Sequence, residues 1–147
     1  MEDEMTIDPC MLLKKEDETL DSLACGGVSV LQKKKGYRYS LDAYLLAAFV
    51  DEIPGSRVID IGSGSGVVSI LLAAVKGLLV TGVEIQPDMA EMSVRSVELA
   101  GLKDRVRIVC EDIRRYREGS FDAVVTNPPY RPLSTGRISL GRGKALA

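Results

Sequence analysis

The sequence has 147 residues, a mass of 15.9 kDa and 46% apolar residues, which is the size and composition of one domain with its own hydrophobic core. It contains no histidine, and its three cysteines, Cys10, Cys25 and Cys110, lie far apart, so zinc sites of the Cys/His type and triads with an imidazole base are excluded. No apolar stretch predicts a membrane span and the acidic N-terminus does not look like a secretion signal, so we expect a cytoplasmic protein without disulfides.

The net charge of −2 conceals an acidic beginning and a basic remainder. Residues 1–31 contain eight acidic and two basic residues, whereas residues 32–147 contain thirteen acidic and seventeen basic residues. We therefore predict an acidic N-terminal arm or small hairpin over residues 1–31 and a main domain over residues 32–147. A basic domain is compatible with nucleic-acid binding, but charged runs are also typical of solvated surfaces, so charge alone leaves both interpretations open.

Helical and strand-like segments alternate along the main domain. A helix is predicted first, over Leu41–Val50, with Ser40 as its N-cap. Four short apolar runs then predict strands, with two helices between them: Arg57–Ile61, Val67–Val75 (helix), Leu78–Val83, Asp88–Ala100 (helix), Val106–Cys110 and Phe121–Thr126. This alternation predicts a parallel sheet with crossover helices, and the apolar runs predict strands buried on both faces, with Cys110 in the core.

A glycine-rich turn follows the first predicted strand. Its sequence is Asp60-Ile61-Gly62-Ser63-Gly64-Ser65-Gly66. Glycines have no Cβ, so they let a ligand approach the backbone closely. Because Val67 stands where a dinucleotide-binding fingerprint requires glycine, the pattern favours a nucleotide-like ligand other than NAD.

Polar residues also follow the other three strands. Glu84 ends the second, Asp112 follows the third, and the tetrad Asn127-Pro128-Pro129-Tyr130 follows the fourth. Each signal alone has an ordinary structural interpretation as a tight turn, a loop acid or a helix cap. Because the carboxyl ends of parallel strands meet at one edge of a sheet, the combination predicts a single ligand-binding crevice.

These motifs resemble those of the class I S-adenosylmethionine-dependent methyltransferases over residues 32–135. The tetrad resembles the branch that methylates exocyclic or amide nitrogens. Residues 31–43 and the helix that follows look like the opening of bacterial tRNA adenine methyltransferases acting beside the anticodon of a valine tRNA. The resemblance implies a Rossmann-like α/β fold with a mostly parallel sheet and flanking helices, S-adenosyl-L-methionine as cofactor, tRNA as substrate and no membrane partner.

The resemblance also implies a role for each motif residue in holding the cofactor. The turn with Gly62, Gly64 and Gly66 passes under the methionine and ribose, and Asp60 orients either this turn or the cofactor's ammonium group. The resemblance further implies that Glu84 holds the ribose and Asp112 the adenine amino group. Ile85 and Ile113 are implied to pack on the faces of the adenine. The helix start at Ser40 offers a further anion site for the cofactor carboxylate.

The tetrad is implied to act on the target base. The Asn127 side-chain oxygen and the Pro128 carbonyl accept the two amino hydrogens, Pro129 makes this backbone rigid, and Tyr130 stacks on the extruded base. No strong general base is needed, in keeping with the absence of histidine. The acceptor stays open between a tRNA or rRNA adenine, a release-factor glutamine amide, an rRNA guanine and a DNA adenine, and a non-catalytic nucleotide-binding module remains an alternative.

Two further expectations concern the surface and the extent of the sheet. The cationic side chains are either solvated or phosphate contacts, in particular Lys33, Lys34, Lys35, Arg114, Arg115 and Arg117. Methyltransferases of this class normally carry more strands than the four predicted here, so the fold looks truncated after the fourth strand, whose outer edge would be unpaired. We expect either a longer protein with a further C-terminal segment or a partner chain, such as a second copy in a homodimer, to cover that edge.

Overall fold

The computed structural model describes residues 13–128. Two strands come first, β1 (Glu18–Ser22) and β2 (Ser29–Lys33), followed by helix α1 (Leu41–Phe49). The remaining elements are β3 (Arg57–Ile61), α2 (Val67–Lys76), β4 (Leu79–Glu84), α3 (Pro87–Leu99), β5 (Val106–Cys110) and β6 (Ala123–Thr126). Every predicted helix and strand is present, and its ends lie within two residues of the predicted ones.

Strands β3 to β6 form one parallel sheet in the order β5-β4-β3-β6. The crossovers through α2 and α3 lead across the sheet in the same direction, which places both helices on one face because such crossovers are right-handed. The predicted α/β fold with a parallel sheet and flanking helices is confirmed. Within residues 13–128, β6 pairs with β3 alone, so its outer edge is unpaired in that part of the chain.

The sheet is covered more completely on one face than on the other. The main core joins the helices to Val58, Val80, Val106 and Val125, and a smaller cluster on the opposite face contains Ile59, Val83 and Tyr116.

The prediction of strands buried on both faces is wrong for β5 and β6. Cys110 is exposed rather than in the core, and Val124 is 63% exposed. These strands are the outer ones of the described sheet, so each lacks a neighbouring strand on one side.

The described part of the N-terminal segment is an antiparallel hairpin attached to α3. Strands β1 and β2 pair along their whole length. Strand β2 extends to residue 33, past residue 31, where the predicted N-terminal segment ends. The Leu31 backbone N–H donates to Ser96 Oγ at 2.9 Å, and the Arg95 guanidinium donates to both carboxylate oxygens of Glu18 at 2.7 Å. In the described chain no helix has the length and apolar character needed to cross a membrane.

Candidate cofactor site

The ends of the four parallel strands bring the predicted site residues to one edge of the sheet. Ile61, the last residue of β3, is paired with Thr126 of β6, so Asn127 follows at the level of the glycine turn. Glu84 ends β4 on the other side of β3, and Asp112 lies two residues beyond the end of β5. The turn, the two acidic residues and Asn127 therefore stand side by side along the carboxyl edge.

The three glycines of the turn have different surroundings. Gly62, Gly64 and Gly66 all have positive φ angles, of 71°, 56° and 82°, which L side chains rarely adopt. A Cβ at Gly66 would lie 2.1 Å from Ser93 Oγ, so this glycine is required for the packing of α3 against the turn. A Cβ at Gly62 would meet nothing within 4 Å, so the backbone there is open to a ligand.

Glu84 is buried and its carboxylate is bound to the turn. It is 4% exposed, and its Oε2 accepts a hydrogen bond from the Gly64 backbone N–H at 2.7 Å. Its Oε1 accepts from the Gln86 backbone N–H at 2.9 Å. Because each carboxylate oxygen has a second acceptor position, these bonds leave Glu84 able to accept from ribose hydroxyls as well.

Asp60 caps the helix that follows the turn. Gly66 stands at the N-cap of α2 and has no side chain to cap it, whereas the buried Asp60 accepts from Ser69 Oγ at 2.7 Å and from the backbone of Ser69. Burial raises the pKa of Asp60 to about 6; the hydrogen bonds from Ser69 oppose this rise, and the charge of Glu84 adds to it. The carboxylate thus binds the first turn of α2 and so holds the helix start at the end of the glycine turn.

Asp112 lies beside the apolar side chains predicted to contact adenine. Arg114 binds its carboxylate through the backbone N–H at 2.9 Å and through Nε at 3.0 Å, which lowers the pKa of Asp112 to about 2. Ile113 packs against the smaller core cluster, and Ile85 is 41% exposed at the end of β4. Asp112 is therefore an ionised acceptor at neutral pH with apolar surface nearby.

The start of the tetrad is attached to the end of β3. Asn127 is half-buried and Pro128 is exposed, while Pro129 and Tyr130 lie outside the described residues. The Thr126 hydroxyl donates to the Ile61 carbonyl at 2.9 Å, a contact that the sequence interpretation missed. This bond fixes the position of Asn127 relative to the glycine turn.

Two of the cationic residues considered as phosphate contacts are ion-paired with carboxylates of the chain, and a third, Arg117, donates to the Tyr116 carbonyl at 2.8 Å but keeps its charge exposed. Lys33 Nζ lies 2.8 Å from an Asp17 carboxylate oxygen, and Arg114 is bound to Asp112. Lys34 and Lys35 are exposed beyond β2, and the exposed Arg115 follows Arg114; Arg117 is exposed as well. The charges open to a phosphate backbone are therefore those of Lys34, Lys35, Arg115 and Arg117.

Solved structures with a similar fold include proteins bound to a product of methyl transfer. A SAM-dependent methyltransferase from Thiobacillus denitrificans, in complex with S-adenosyl-L-homocysteine, is 27% identical with a TM-score of 0.53, covering 57% of this chain and 34% of that chain. Another from Geobacter sulfurreducens, in complex with the same molecule, is 28% identical with a TM-score of 0.51, again covering 57% and 34%. TYW2 from P. horikoshii shares the fold at 19% identity, with a TM-score of 0.61 over 70% of this chain and 39% of that chain.

Curated relatives give a similar picture at the level of sequence. Proteins named tRNA1(Val) (adenine(37)-N6)-methyltransferase from Yersinia pestis (strain Pestoides F) and Yersinia pseudotuberculosis are 35% identical over 94 residues, which is 60% of this chain and 38% of theirs. The chain thus spans well under half the length of these relatives. A family model described as methyltransferase small domain matches residues 40–140, a range that includes the glycine turn, Glu84, Asp112 and the tetrad. The chain belongs to the methyltransferase small domain family, an enzyme family whose cofactor is S-adenosylmethionine.

Proposed function

We propose that the protein transfers the methyl group of S-adenosylmethionine to the exocyclic amino group of an adenine in tRNA. The observation that carries this proposal is the position of Asn127, held beside the glycine turn by the hydrogen bond between Thr126 and Ile61. The curated relatives named as tRNA adenine methyltransferases support the choice of substrate. A tRNA substrate also supports the proposal that the protein is cytoplasmic.

The residues at the sheet edge fit this cofactor. The open backbone at Gly62 leaves room for the methionine and ribose part, and Glu84 offers acceptors for the ribose hydroxyls. Asp112 offers an acceptor for the adenine amino group, and Ile85 and Ile113 supply apolar surface for the adenine ring. When bound, the cofactor supplies an electrophilic methyl group on a sulfonium centre.

The chemical difficulty lies with the acceptor, because the adenine amino nitrogen shares its lone pair with the ring. In the proposed mechanism, the Asn127 side-chain oxygen and the Pro128 carbonyl accept the two amino hydrogens. These acceptors would hold the nitrogen in place and stabilise the positive charge that it gains as its bond to the methyl group forms, while the bond between that methyl group and sulfur breaks and S-adenosylhomocysteine is the leaving group. The nitrogen then releases one proton to water, so no buried general base is needed.

The charges of the described surface support a nucleic-acid acceptor. Lys34, Lys35, Arg115 and Arg117 are exposed, and we propose that they contact phosphates of the RNA backbone. Such contacts position the substrate without reading its sequence, so the choice of nucleotide depends on the pocket around the tetrad.

The test of this function is methyl transfer from isotopically labelled S-adenosylmethionine to an extract separated into tRNA, rRNA, DNA and protein. We expect mass analysis to find the label in methyladenosine from tRNA. Label in a guanine, a glutamine or a DNA adenine would contradict the proposed acceptor while keeping the transfer to nitrogen. No label with bound cofactor would favour a non-catalytic binding module.

Asn127→Ala tests the role of the tetrad in the same assay. We expect the rate of transfer to fall by about a hundredfold or more, because one of the two acceptors for the amino hydrogens is lost, while the affinity for S-adenosylhomocysteine stays unchanged. Lys103→Ala is the control, since Lys103 is exposed at the opposite edge of the sheet and should retain the rate of transfer. Full activity of the Asn127 variant would contradict the mechanism.

A further inference from the structure

A buried glutamine in β2 connects three segments of the chain. Gln32 is 1% exposed and lies between the buried Leu31 and the half-buried Lys33. Its Nε2 donates hydrogen bonds to Ser65 Oγ at 2.7 Å and to the Leu31 carbonyl at 2.9 Å, and its Oε1 accepts one from the Tyr39 backbone N–H at 3.3 Å. Both polar atoms of this buried amide are therefore bonded, and removing the side chain would leave Ser65 and the Tyr39 amide without these bonds.

These contacts fix the glycine turn from a second side. Ser65 belongs to the turn, and the preceding residue, Gly64, is bound by Glu84 from β4. Gln32 binds Ser65 from β2, so the turn is held between two buried side chains. Tyr39 directly precedes the residue that caps α1, so the same glutamine also sets the distance between the turn and the start of that helix.

The strand that carries Gln32 has a rigid support. The Leu31 backbone N–H donates to Ser96 Oγ, and the Ser96 hydroxyl donates in turn to the Met92 carbonyl at 3.1 Å within α3. Both Leu31 and Ser96 are fully buried. The backbone next to Gln32 is therefore anchored to α3, and the hydrogen bond from the Gln32 amide to Ser65 holds the turn at a fixed distance from it.

We propose that Gln32 is a positioning residue for cofactor binding. It holds the glycine turn and the start of α1 at the separation that suits the amino-acid end of S-adenosylmethionine. This inference rests on the proposed function, in which the turn passes under the methionine part of the cofactor. The adenosine part is assigned to Glu84, Asp112 and the isoleucines, so its binding should depend much less on Gln32.

The experiment compares two ligands that differ in that end. S-adenosylhomocysteine carries the amino-acid group, whereas 5′-methylthioadenosine has the same adenosine and sulfur without it. In calorimetric titrations, Gln32→Leu should bind S-adenosylhomocysteine about tenfold more weakly than the parent chain and bind methylthioadenosine with unchanged affinity. Ser29→Ala, in the same strand, is the matched control and should change neither affinity, because its hydroxyl is bonded to the exposed Ser22 hydroxyl of the hairpin and not to the glycine turn.

Ser65→Ala removes the other end of the same hydrogen bond and keeps the test valid if Gln32→Leu does not fold. It should show the same selective loss, and the double variant should bind no more weakly than Gln32→Leu alone, because both substitutions remove one interaction. Equal losses for the two ligands, or no loss for either, would overturn the role of Gln32. A parent chain that binds neither ligand would instead contradict the proposed function, and the inference with it.

Discussion

Replacing Asp60 by asparagine tests the electrostatics at the start of α2. The substitution removes an ionisable group and keeps an oxygen that can accept from Ser69. In the folded chain, burial raises the pKa of Asp60 from its ordinary 3.8 to about 6, which corresponds to about 3 kcal/mol in favour of the protonated form. The protonated carboxyl is therefore the more stable form in the folded protein below about pH 6, whereas at neutral pH the carboxylate predominates and is bound by Ser69.

The sign of the pH dependence follows from this rise in pKa. The contribution of Asp60 to stability is complete below pH 3.8 and is lost as the pH rises to about 6. The asparagine variant cannot lose this contribution. Relative to the parent chain, its free energy of unfolding should therefore increase by about 3 kcal/mol between about pH 4 and pH 7.

Urea unfolding followed by circular dichroism at several pH values measures this difference directly. Taking the difference between variant and parent removes the contribution of the other titrating groups, which both chains share. Ser69→Ala should move the parent's loss of stability to higher pH, because the hydroxyl bond that lowers the pKa of Asp60 is gone. A difference between the Asp60 variant and its parent that stays constant with pH would refute this reasoning.

Three further substitutions test packing and an ion pair. Gly66→Ala should destabilise the chain by about 2 to 4 kcal/mol in thermal unfolding, because the new Cβ would lie 2.1 Å from Ser93 Oγ at a φ of +82°. Gly62→Ala, whose Cβ meets nothing within 4 Å, should lower stability by only about 1 kcal/mol but should weaken the binding of S-adenosylhomocysteine. Equal losses of stability for the two glycine variants would contradict the different surroundings of Gly62 and Gly66. Glu18→Gln should lower stability by about 2 kcal/mol at neutral pH, because it weakens the paired bonds from Arg95. Arg95 lowers the pKa of Glu18 from 4.5 to about 2, so this contribution is present above pH 4.5 and is lost as the pH falls towards 2, and a deficit that persists in acid would contradict it.

The elements of the fold could be predicted because each strand is a short apolar run and each helix has its own boundary signals. Ser40 caps α1 as predicted, and α3 begins at Pro87, one residue before the predicted start. What local sequence could not supply was the exposure of Cys110 and Val124. Their exposure depends on which strands lie at the edge of the sheet, and an apolar run has the same appearance in an edge strand as in an interior one.

The location of the candidate site could be predicted for a simple reason, since the carboxyl ends of parallel strands share an edge. The partners of its side chains could not, because they depend on backbone orientation. Three features appear only when separate segments of the chain are brought together: the bond from Gly64 to Glu84, the cap that Asp60 provides through Ser69, and the burial of Gln32. The glutamine that directly follows Val30 and Leu31 is nevertheless a signal that could have been used, because a buried amide needs partners.

A calorimetric titration of the chain with S-adenosylmethionine and, separately, with NAD decides which ligand this sheet edge accepts. Val67 replaces the third fingerprint glycine of dinucleotide-binding sites, and the open backbone at Gly62 lies between Glu84 and Asn127. We predict saturable binding of one S-adenosylmethionine per chain and no binding of NAD. Binding of NAD, or no heat from S-adenosylmethionine with a folded chain, would contradict the assignment of the edge as a methyl-donor site.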